Sequence, residues 1–118
     1  MAHNTELGRH GEQVAADHLE ARGMRVIDRN WRCSHGELDL VLRDGDETVF
    51  VEVKTRAGAG YGHPFEAITA RKLARLRRLA LAWCEASSTP TGRIRIDAVA
   101  VFAPAAAPAV VEHLERIA

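Results

Sequence analysis

Two segments of alternating polar and apolar residues flank a short polar turn near the middle of this 118-residue chain. The first segment is Glu37–Arg43, the second is Thr48–Lys54, and the turn between them is Asp44-Gly45-Asp46-Glu47. Alternation with a period of two on both sides of such a turn predicts an antiparallel β-hairpin. Because the side-chain period is two, the register of this hairpin decides which residues share a face.

A turn centred between Gly45 and Asp46 pairs Asp39 with Glu52 and Glu37 with Lys54. A turn centred on Asp44-Gly45 shifts the pairing but keeps the same faces. One face is predicted to be aliphatic and buried, with Leu38, Leu40 and Leu42 facing Val53, Val51 and Val49. The other face collects Glu37, Asp39, Glu52 and Lys54 beside Val41 and Phe50.

Three carboxylates on one hairpin face repel one another unless something neutralises them. Mg²⁺ or Mn²⁺ would do so, since hard divalent cations prefer oxygen ligands. Lys54 points the same way as Glu52 and could orient or help deprotonate a water, or stabilise charge at phosphorus. The pattern therefore predicts metal-assisted phosphodiester hydrolysis. The alternative is a solvated face with two salt bridges, but the consecutive hydrophobic residues of both strands indicate a covered sheet.

The rest of the chain adds two helices and further strands around the hairpin. Gly8 and Gly11 lie inside the first helix, which indicates either that something approaches that face closely or that the backbone there must be accessible. The predicted order is α-β-β-β-α-β in one domain, residues 1–118. The elements are a helix over residues 5–22 capped by Thr5 and Gly23, a strand over Met24–Asp28, an irregular link at Asn30-Trp31-Arg32, a glycine-rich loop over 57–63, a helix from about Thr69 to Ser87, a strand over Ile94–Phe102, and a strand or helical turn over Val110–Leu114.

Composition excludes several classes of protein. Sixteen basic residues balance sixteen acidic ones, so a globally basic protein is excluded although a local basic patch is not. All the basic residues are arginines except Lys54 and Lys72. No apolar run approaches the ~18–20 residues of a membrane span, and the start has no signal-peptide core, which predicts a cytoplasmic protein without membrane contact. Cys33 and Cys84 form no CxxC motif, so they are expected to be reduced thiols rather than zinc ligands.

Two motifs carry a resemblance to a known superfamily. G-E-L-D-L-V (Gly36–Val41) followed by V-F-V-E-V-K-T-R (Val49–Arg56) resembles the core of the PD-(D/E)XK nucleases. More narrowly, the chain resembles the bacterial YraN-like family, which is related to Holliday junction resolvases. That narrower resemblance covers roughly residues 5 to 114 and rests on G-x-x-G-E-x-x-A (Gly8–Ala15), Asn30, Gly62-x-Pro64, Lys72 and R-I-D (Arg95–Asp97).

The resemblance implies a fold and a set of roles. The fold is α/β, a restriction-endonuclease-like αβββαβ core with a mixed central sheet flanked by helices. Asp39 and Glu52 correspond to metal ligands, with the Val53 carbonyl as the third, and Lys54 to the catalytic lysine. Glu12 corresponds to an extra acidic residue that resolvase-like members place near the metal. Glu37 is either a partner of Lys54 or a simple salt bridge.

DNA is the implied partner. Thr55 and Arg56 are predicted to contact phosphate, and Arg71, Lys72, Arg75 and Arg78 form a basic helical stripe that could follow a phosphate backbone. An ordinary solvated helix face is the alternative for that stripe. The resemblance implies a metal-dependent endonuclease acting on DNA, with branched DNA as a candidate substrate and a homodimer by analogy of fold. The alternative function is a non-catalytic nucleic-acid-binding module that keeps the nuclease fold.

Other notable residues are assigned structural roles. Asp97 lies in the middle of a strand and is expected to pair with an arginine. Trp31 and Trp83 are expected in the core or at an interface, and neither His35 nor His63 is assigned as a ligand.

Overall fold

A five-stranded mixed sheet with one helix on each face forms the protein. The computed structural model describes residues 5–58 and 62–118, so residues 59–61 of the predicted glycine-rich loop lie outside the described residues. The elements are α1 (Glu6–Ala21), β1 (Arg25–Cys33), β2 (Gly36–Asp44), β3 (Glu47–Arg56), a one-turn 3-10 helix (Pro64–Ala67), α2 (Ala70–Ala86), β4 (Arg93–Phe102) and β5 (Val110–Leu114). The strands lie in the order β1-β2-β3-β4-β5, with β3 and β4 parallel and the other neighbours antiparallel. The α/β class and the αβββαβ order are confirmed, and Val110–Leu114 is a strand.

Helix α1 lies between its predicted caps Thr5 and Gly23, and α2 lies within the predicted range of about Thr69 to Ser87, with Thr69 as its N-cap. The Thr5 hydroxyl accepts a hydrogen bond from the Gly8 backbone N–H at 2.9 Å, and the Thr69 hydroxyl accepts one from the Lys72 N–H at 3.2 Å. Each bond satisfies a backbone donor that the first helical turn leaves unpaired. After α1, Gly23 has φ of +97°, a left-handed conformation that glycine adopts without a steric penalty. Neither helix among the described residues is long and apolar enough to cross a membrane.

Strand β1 is longer than predicted. The sequence predicted a strand ending at Asp28 and an irregular link over Asn30–Arg32, but β1 continues to Cys33, with Trp31 opposite Leu38. The irregularity lies inside the strand: Asn30 has φ of +49°, and the register with β2 shifts between Val26 and Asp28. Asparagine tolerates this left-handed conformation better than most residues, so β1 can bend without leaving the sheet.

The predicted hairpin register is confirmed near the turn and wrong beyond it. Asp44 lies opposite Glu47, and the described pairs continue to Leu40 opposite Val51. The predicted pairs of Asp39 with Glu52 and of Glu37 with Lys54 are not formed. Instead, the Asp39 carboxylate accepts a hydrogen bond from the Val53 backbone N–H at 2.9 Å. A side chain thereby takes the place of a strand partner, and β2 and β3 part at this point.

Two hydrophobic layers cover the sheet. The α1 layer packs the aliphatic face of the hairpin against the helix; its central members are Leu40, Leu42, Val49, Val51 and Val53 with Ala15 and Leu19. The α2 layer packs Val41 and Phe50 against Leu76, Leu79 and Trp83. Leu38 was predicted on the same face as Leu40 and Leu42 but lies in the α2 layer. The ladder to β3 has ended at this point, so β3 no longer holds Leu38 in the orientation of Leu40.

The two tryptophans pack in the α2 layer, as expected. Trp83 is buried, meets Phe50 edge to face, and donates its indole N–H to Asp28 at 2.8 Å. Trp31 packs against the same layer from β1. A buried indole N–H needs such a partner, so the contact between Trp83 and Asp28 ties α2 to the first strand.

A network of buried charges joins β4 to the C-terminal segment. Arg95 donates to Asp97 at 3.1 Å, which confirms the structural role predicted for Asp97. Asp97 also contacts His113 at 2.7 Å and accepts from the Arg116 backbone N–H at 3.0 Å. The Arg116 guanidinium binds both oxygens of Glu47 at 2.8 and 2.9 Å. The network holds the end of the chain against the start of β3.

The Glu47 carboxylate makes stability depend on pH. The hydrogen bonds from Arg116, opposed by burial and supported by those from Arg95, together lower the pKa of Glu47 from 4.5 to about 2. A lowered folded-state pKa means that the stabilisation is present above the ordinary pKa and is lost as the pH falls toward 2. We therefore expect Glu47→Gln to lower the melting temperature near pH 7 and to cost progressively less between pH 4.5 and 2. Thermal melts across this range measure it, with exposed Glu85→Gln as control. A deficit that stays constant with pH would contradict the assignment.

Candidate active site

Helix α1 approaches the end of β3 closely at Gly11. A Cβ atom at this position would collide with the Thr55 hydroxyl and lie 2.8 Å from the Thr55 Cβ. This contact confirms the close approach that the glycines of α1 predicted. It also places Glu12, the next residue of the helix, beside the last residues of β3.

We expect Gly11→Ala to destabilise the protein despite the better helix propensity of alanine. Overpacking in a tight contact costs about 1–3 kcal/mol, and the propensity gain of ~1 kcal/mol offsets only part of it. Urea denaturation of wild type, Gly11→Ala, Thr55→Gly and the double variant measures the coupling. Gly11→Ala should lower the free energy of unfolding in the wild-type background. It should cost little or nothing in the Thr55→Gly background, where the side chain that it collides with is absent. An equal cost of Gly11→Ala in both backgrounds would contradict the contact.

The space between α1 and β3 forms a cleft of about 150 Å³, the α1 cleft. Its lining comes from the first turns of α1 and the last residues of β3: Thr5, Leu7, Gly8, Glu12, Val53, Lys54, Thr55 and Arg56. The structure therefore brings Glu12, Val53 and Lys54 together with the two predicted phosphate contacts. The Arg56 Nε is buried and has no hydrogen-bond acceptor among residues 5–58 and 62–118.

Glu12 is held in the cleft by β1. The side-chain amide of Asn30 donates to Glu12 Oε1 at 2.9 Å, and Glu12 is only 7% exposed. One residue earlier, the Arg29 guanidinium donates to Gln13 Oε1 at 2.8 Å. Two adjacent residues of the bent strand thus fix two adjacent residues of α1. Asn30 was named only as part of the YraN-like resemblance, without a role, and its tolerance of a left-handed backbone is the signal that could have marked it.

Oxygen donors lie on both strands near the point where β2 and β3 part. Asp39 is fully buried and binds the Val53 N–H. A residue's N–H and carbonyl lie on the same edge of a strand, so the Val53 carbonyl faces the same gap. Glu52, the residue before it, is buried as well. Hard oxygen donors of this kind suit Mg²⁺, which keeps several waters and needs few protein ligands. Within the described residues, no group of three His, Cys, Asp or Glu side chains lies close enough together to hold a metal ion. The predicted site does not require such a group, because it consists of two carboxylates and one backbone carbonyl.

Lys54 pairs with Glu52, with 3.2 Å between Lys54 Nζ and Glu52 Oε2. Of the two roles predicted for Glu37, the structure has the simple salt bridge and not the partnership with Lys54: Glu37 accepts from the Arg32 Nε at 3.1 Å. Arg32 and Glu37 are Cα partners between β1 and β2, whereas β2 and β3 have parted before Glu37 could reach Lys54. Strand β3 therefore carries its own ion pair.

The predicted basic stripe of α2 divides between different surroundings. Lys72 faces the site: burial lowers its pKa first, and the positive charge of Lys54 lowers it further, partly offset by Glu52. Arg75 lines a second cleft, described next. Arg71 and Arg78 are exposed, and neither cleft includes them.

The second cleft has a volume of about 350 Å³ and lies between α2 and the start of β2; it is called the α2 cleft. Four of its residues are charged and four are apolar or small. They are Arg32, Glu37, Glu52 and Arg75, together with Cys33, Gly36, Leu76 and Leu79. Glu52 borders this cleft, and its ion-pair partner Lys54 borders the α1 cleft, so the two clefts meet at the end of β3.

Comparison with known proteins identifies the family. The sequence model of "Uncharacterised protein family UPF0102" matches residues 11–101. The chain belongs to this family. The match includes Glu12, Asp39, Glu52, Lys54 and Lys72, and the YraN-like resemblance is thereby confirmed.

UPF0102 relatives match nearly the whole chain. The UPF0102 protein of Arthrobacter sp. (strain FB24) is 54% identical over 111 residues, covering 94% of each chain. That of Leifsonia xyli subsp. xyli is 52% identical over 117 residues, covering 99% of each. Among solved structures, Pyrococcus furiosus SfsA in complex with Ca²⁺ is similar over 92% of this chain and 62% of that chain, with 16% identity and a TM-score of 0.39.

Proposed function

We propose that this protein is a metal-dependent endonuclease that hydrolyses phosphodiester bonds in DNA. One observation carries the proposal: Glu12 of α1 and Lys54 of β3 line the same cleft, and the residue between Glu52 and Lys54 binds Asp39 through its backbone. A protein that only binds DNA has no need of buried carboxylates where phosphates must dock, because they repel the backbone. The same carboxylates are useful if a cation is held between them and the phosphate.

Asp39, Glu52 and the Val53 carbonyl would hold Mg²⁺ or Mn²⁺. The bound cation would supply Lewis acidity toward the scissile phosphate. Binding would also offset the mutual repulsion of the two carboxylates, of which Asp39 is fully buried. The Asp39 bond to the Val53 N–H keeps that carboxylate turned toward β3.

The other roles in hydrolysis belong to side chains of the α1 cleft. Glu12, fixed by Asn30, accepts a proton from the attacking water while the water oxygen bonds to phosphorus. Lys54 stabilises the negative charge that develops on the phosphate oxygens. The bond from phosphorus to the leaving deoxyribose oxygen then breaks, and that oxygen takes up a proton from solvent. Thr55 and Arg56, at the end of the same strand, contact the neighbouring phosphate.

DNA binding would extend from the clefts onto α2. Lys72 lies beside Lys54, while Arg75 lines the α2 cleft and Arg71 is exposed on the same helix. These cations would contact phosphates and supply affinity that falls with added salt.

We propose branched DNA as the substrate, cleaved by a homodimer whose paired sites act on two strands. Sedimentation of the protein alone and with a four-way junction tests the dimer.

A nuclease panel tests the proposed activity. Linear, nicked, flap and four-way-junction DNA are incubated with the protein and Mg²⁺, Mn²⁺ or EDTA. Cleavage that requires the metal and is lost in a Glu12→Gln variant is the expected result. DNA binding without cleavage of any substrate would favour the alternative function, a nucleic-acid-binding module that keeps the nuclease fold.

A further inference from the structure

The α2 cleft has a chemical character that the proposed hydrolysis does not use. Two guanidinium groups and two carboxylates line it, so its formal charges cancel. Its floor includes the buried side chains of Leu76 and Leu79. An apolar floor with a few polar groups around it suits a flat, uncharged ring. At about 350 Å³, the cleft has the size of a small-ligand site.

Glu37 is the polar group that the site chemistry leaves without a role. Its side chain is only 9% exposed, and one oxygen, Oε2, accepts from the Arg32 Nε at 3.1 Å. An ionised carboxylate offers about four acceptor positions, so Glu37 can accept further hydrogen bonds from a ligand in the cleft. Its partner Arg32 is exposed, at the rim, and is available to a phosphate or to the face of a ring.

We infer that the α2 cleft receives an unpaired nucleobase of the DNA substrate, and that Glu37 accepts hydrogen bonds from the edge of that base. This inference rests on the proposed function for its substrate. The α2 cleft meets the α1 cleft at Glu52 and Lys54, so the base would belong to a nucleotide next to the scissile phosphate. A base can enter only where it is unpaired or extruded from the stack, which favours branched or looped DNA over a perfect duplex.

The chemistry of the carboxylate selects among the bases. Guanine presents two N–H donors side by side on its pairing edge, the ring N1–H and the 2-amino group. A carboxylate can accept both, whereas adenine and cytosine each pair one amino donor with a ring acceptor that a carboxylate repels. The cleft therefore prefers guanine.

Binding in EDTA tests the inference without requiring cleavage. Fluorescence anisotropy compares a fully paired duplex with duplexes that carry one unpaired guanine, adenine, cytosine or thymine. We expect wild type to bind the unpaired-guanine duplex about tenfold more tightly than the paired one. Glu37→Gln should lose this preference, because the amide presents a donor in place of one acceptor, and Glu85→Gln on the exposed part of α2 should keep it. Arg32→Gln should weaken binding to all the duplexes and keep the preference, which separates base contact from loss of the Arg32–Glu37 ion pair.

Cysteine alkylation locates the bound base. Cys33 lines the cleft and Cys84 does not, and both are half-buried free thiols. The unpaired-guanine duplex should slow alkylation of Cys33 and leave that of Cys84 unchanged. Equal affinity for paired and unpaired-guanine DNA, or a Glu37→Gln protein that keeps the preference, would overturn the inference. A protein that shows the preference but cleaves none of the panel with metal would instead contradict the proposed hydrolysis.

Discussion

Replacing Lys54 by alanine is expected to abolish DNA cleavage while leaving the fold and most of the DNA affinity intact. Lys54 is one of several cations near the substrate, so its loss removes only part of the electrostatic affinity. A group that stabilises charge in the transition state is worth about 3 kcal/mol or more, which corresponds to a rate loss of at least ~100-fold. Cleavage rate and DNA affinity are measured side by side on wild type and Lys54→Ala.

The arginine variant separates catalysis from charge pairing. Lys54→Arg keeps the positive charge beside Glu52, which the lysine contacts at 3.2 Å. The guanidinium is larger and planar and spreads its charge over the fork, so it does not place a compact positive charge where the Lys54 ammonium stands. We expect Lys54→Arg to be nearly as slow as Lys54→Ala, whereas Lys72→Arg should retain most of the activity. A wild-type rate in Lys54→Arg would exclude a catalytic role for this lysine.

Asp39→Asn is expected to remove metal binding without unfolding the protein. The asparagine side-chain oxygen can still accept from the Val53 N–H, which the carboxylate now does at 2.9 Å. The negative charge that attracts the cation is lost, so Mn²⁺ affinity and the metal-dependent rate should both fall by ~100-fold or more. Calorimetric titration with Mn²⁺ measures the affinity, and thermal melts verify the fold.

A second variant in the same hairpin controls for charge alone. Asp46 lies in the exposed turn and makes a surface ion pair with Arg93. Asp46→Asn changes the net charge by the same amount as Asp39→Asn but lies at the other end of the hairpin. It should bind Mn²⁺ as wild type does. If Asp39→Asn also titrates like wild type, the cation is not bound at Asp39.

The local pattern of the sequence determined the elements and the hairpin. Alternation around the turn at Gly45 determined which residues share a face, because a slip by one residue would turn the aliphatic face toward solvent. It left two pairings open, and the structure has the one that places Asp44 opposite Glu47 and Leu40 opposite Val51. The helix cap at Thr5 could be predicted because a cap depends on residues three positions apart in the chain. Gly11 indicated a close approach to α1, but the sequence did not identify Thr55 as the residue that makes it.

The tertiary structure decided where the strands part and what surrounds them. Asp39 ends the ladder by binding the Val53 N–H across the hairpin, and Leu38 then joins the α2 layer instead of the α1 layer. Asn30 donates to Glu12, which lies 18 residues earlier in the chain, from a bend in β1 that hydrophobic periodicity does not predict.

The α2 cleft exists only because β1, β2, β3 and α2 each contribute residues to its wall. Periodicity records how a residue is oriented within its own element, whereas the gap, the support of Glu12 and the cleft depend on how elements lie against one another. The sequence therefore determined the candidate catalytic residues of this protein, and the packing of helices on a parted sheet decided which of them meet.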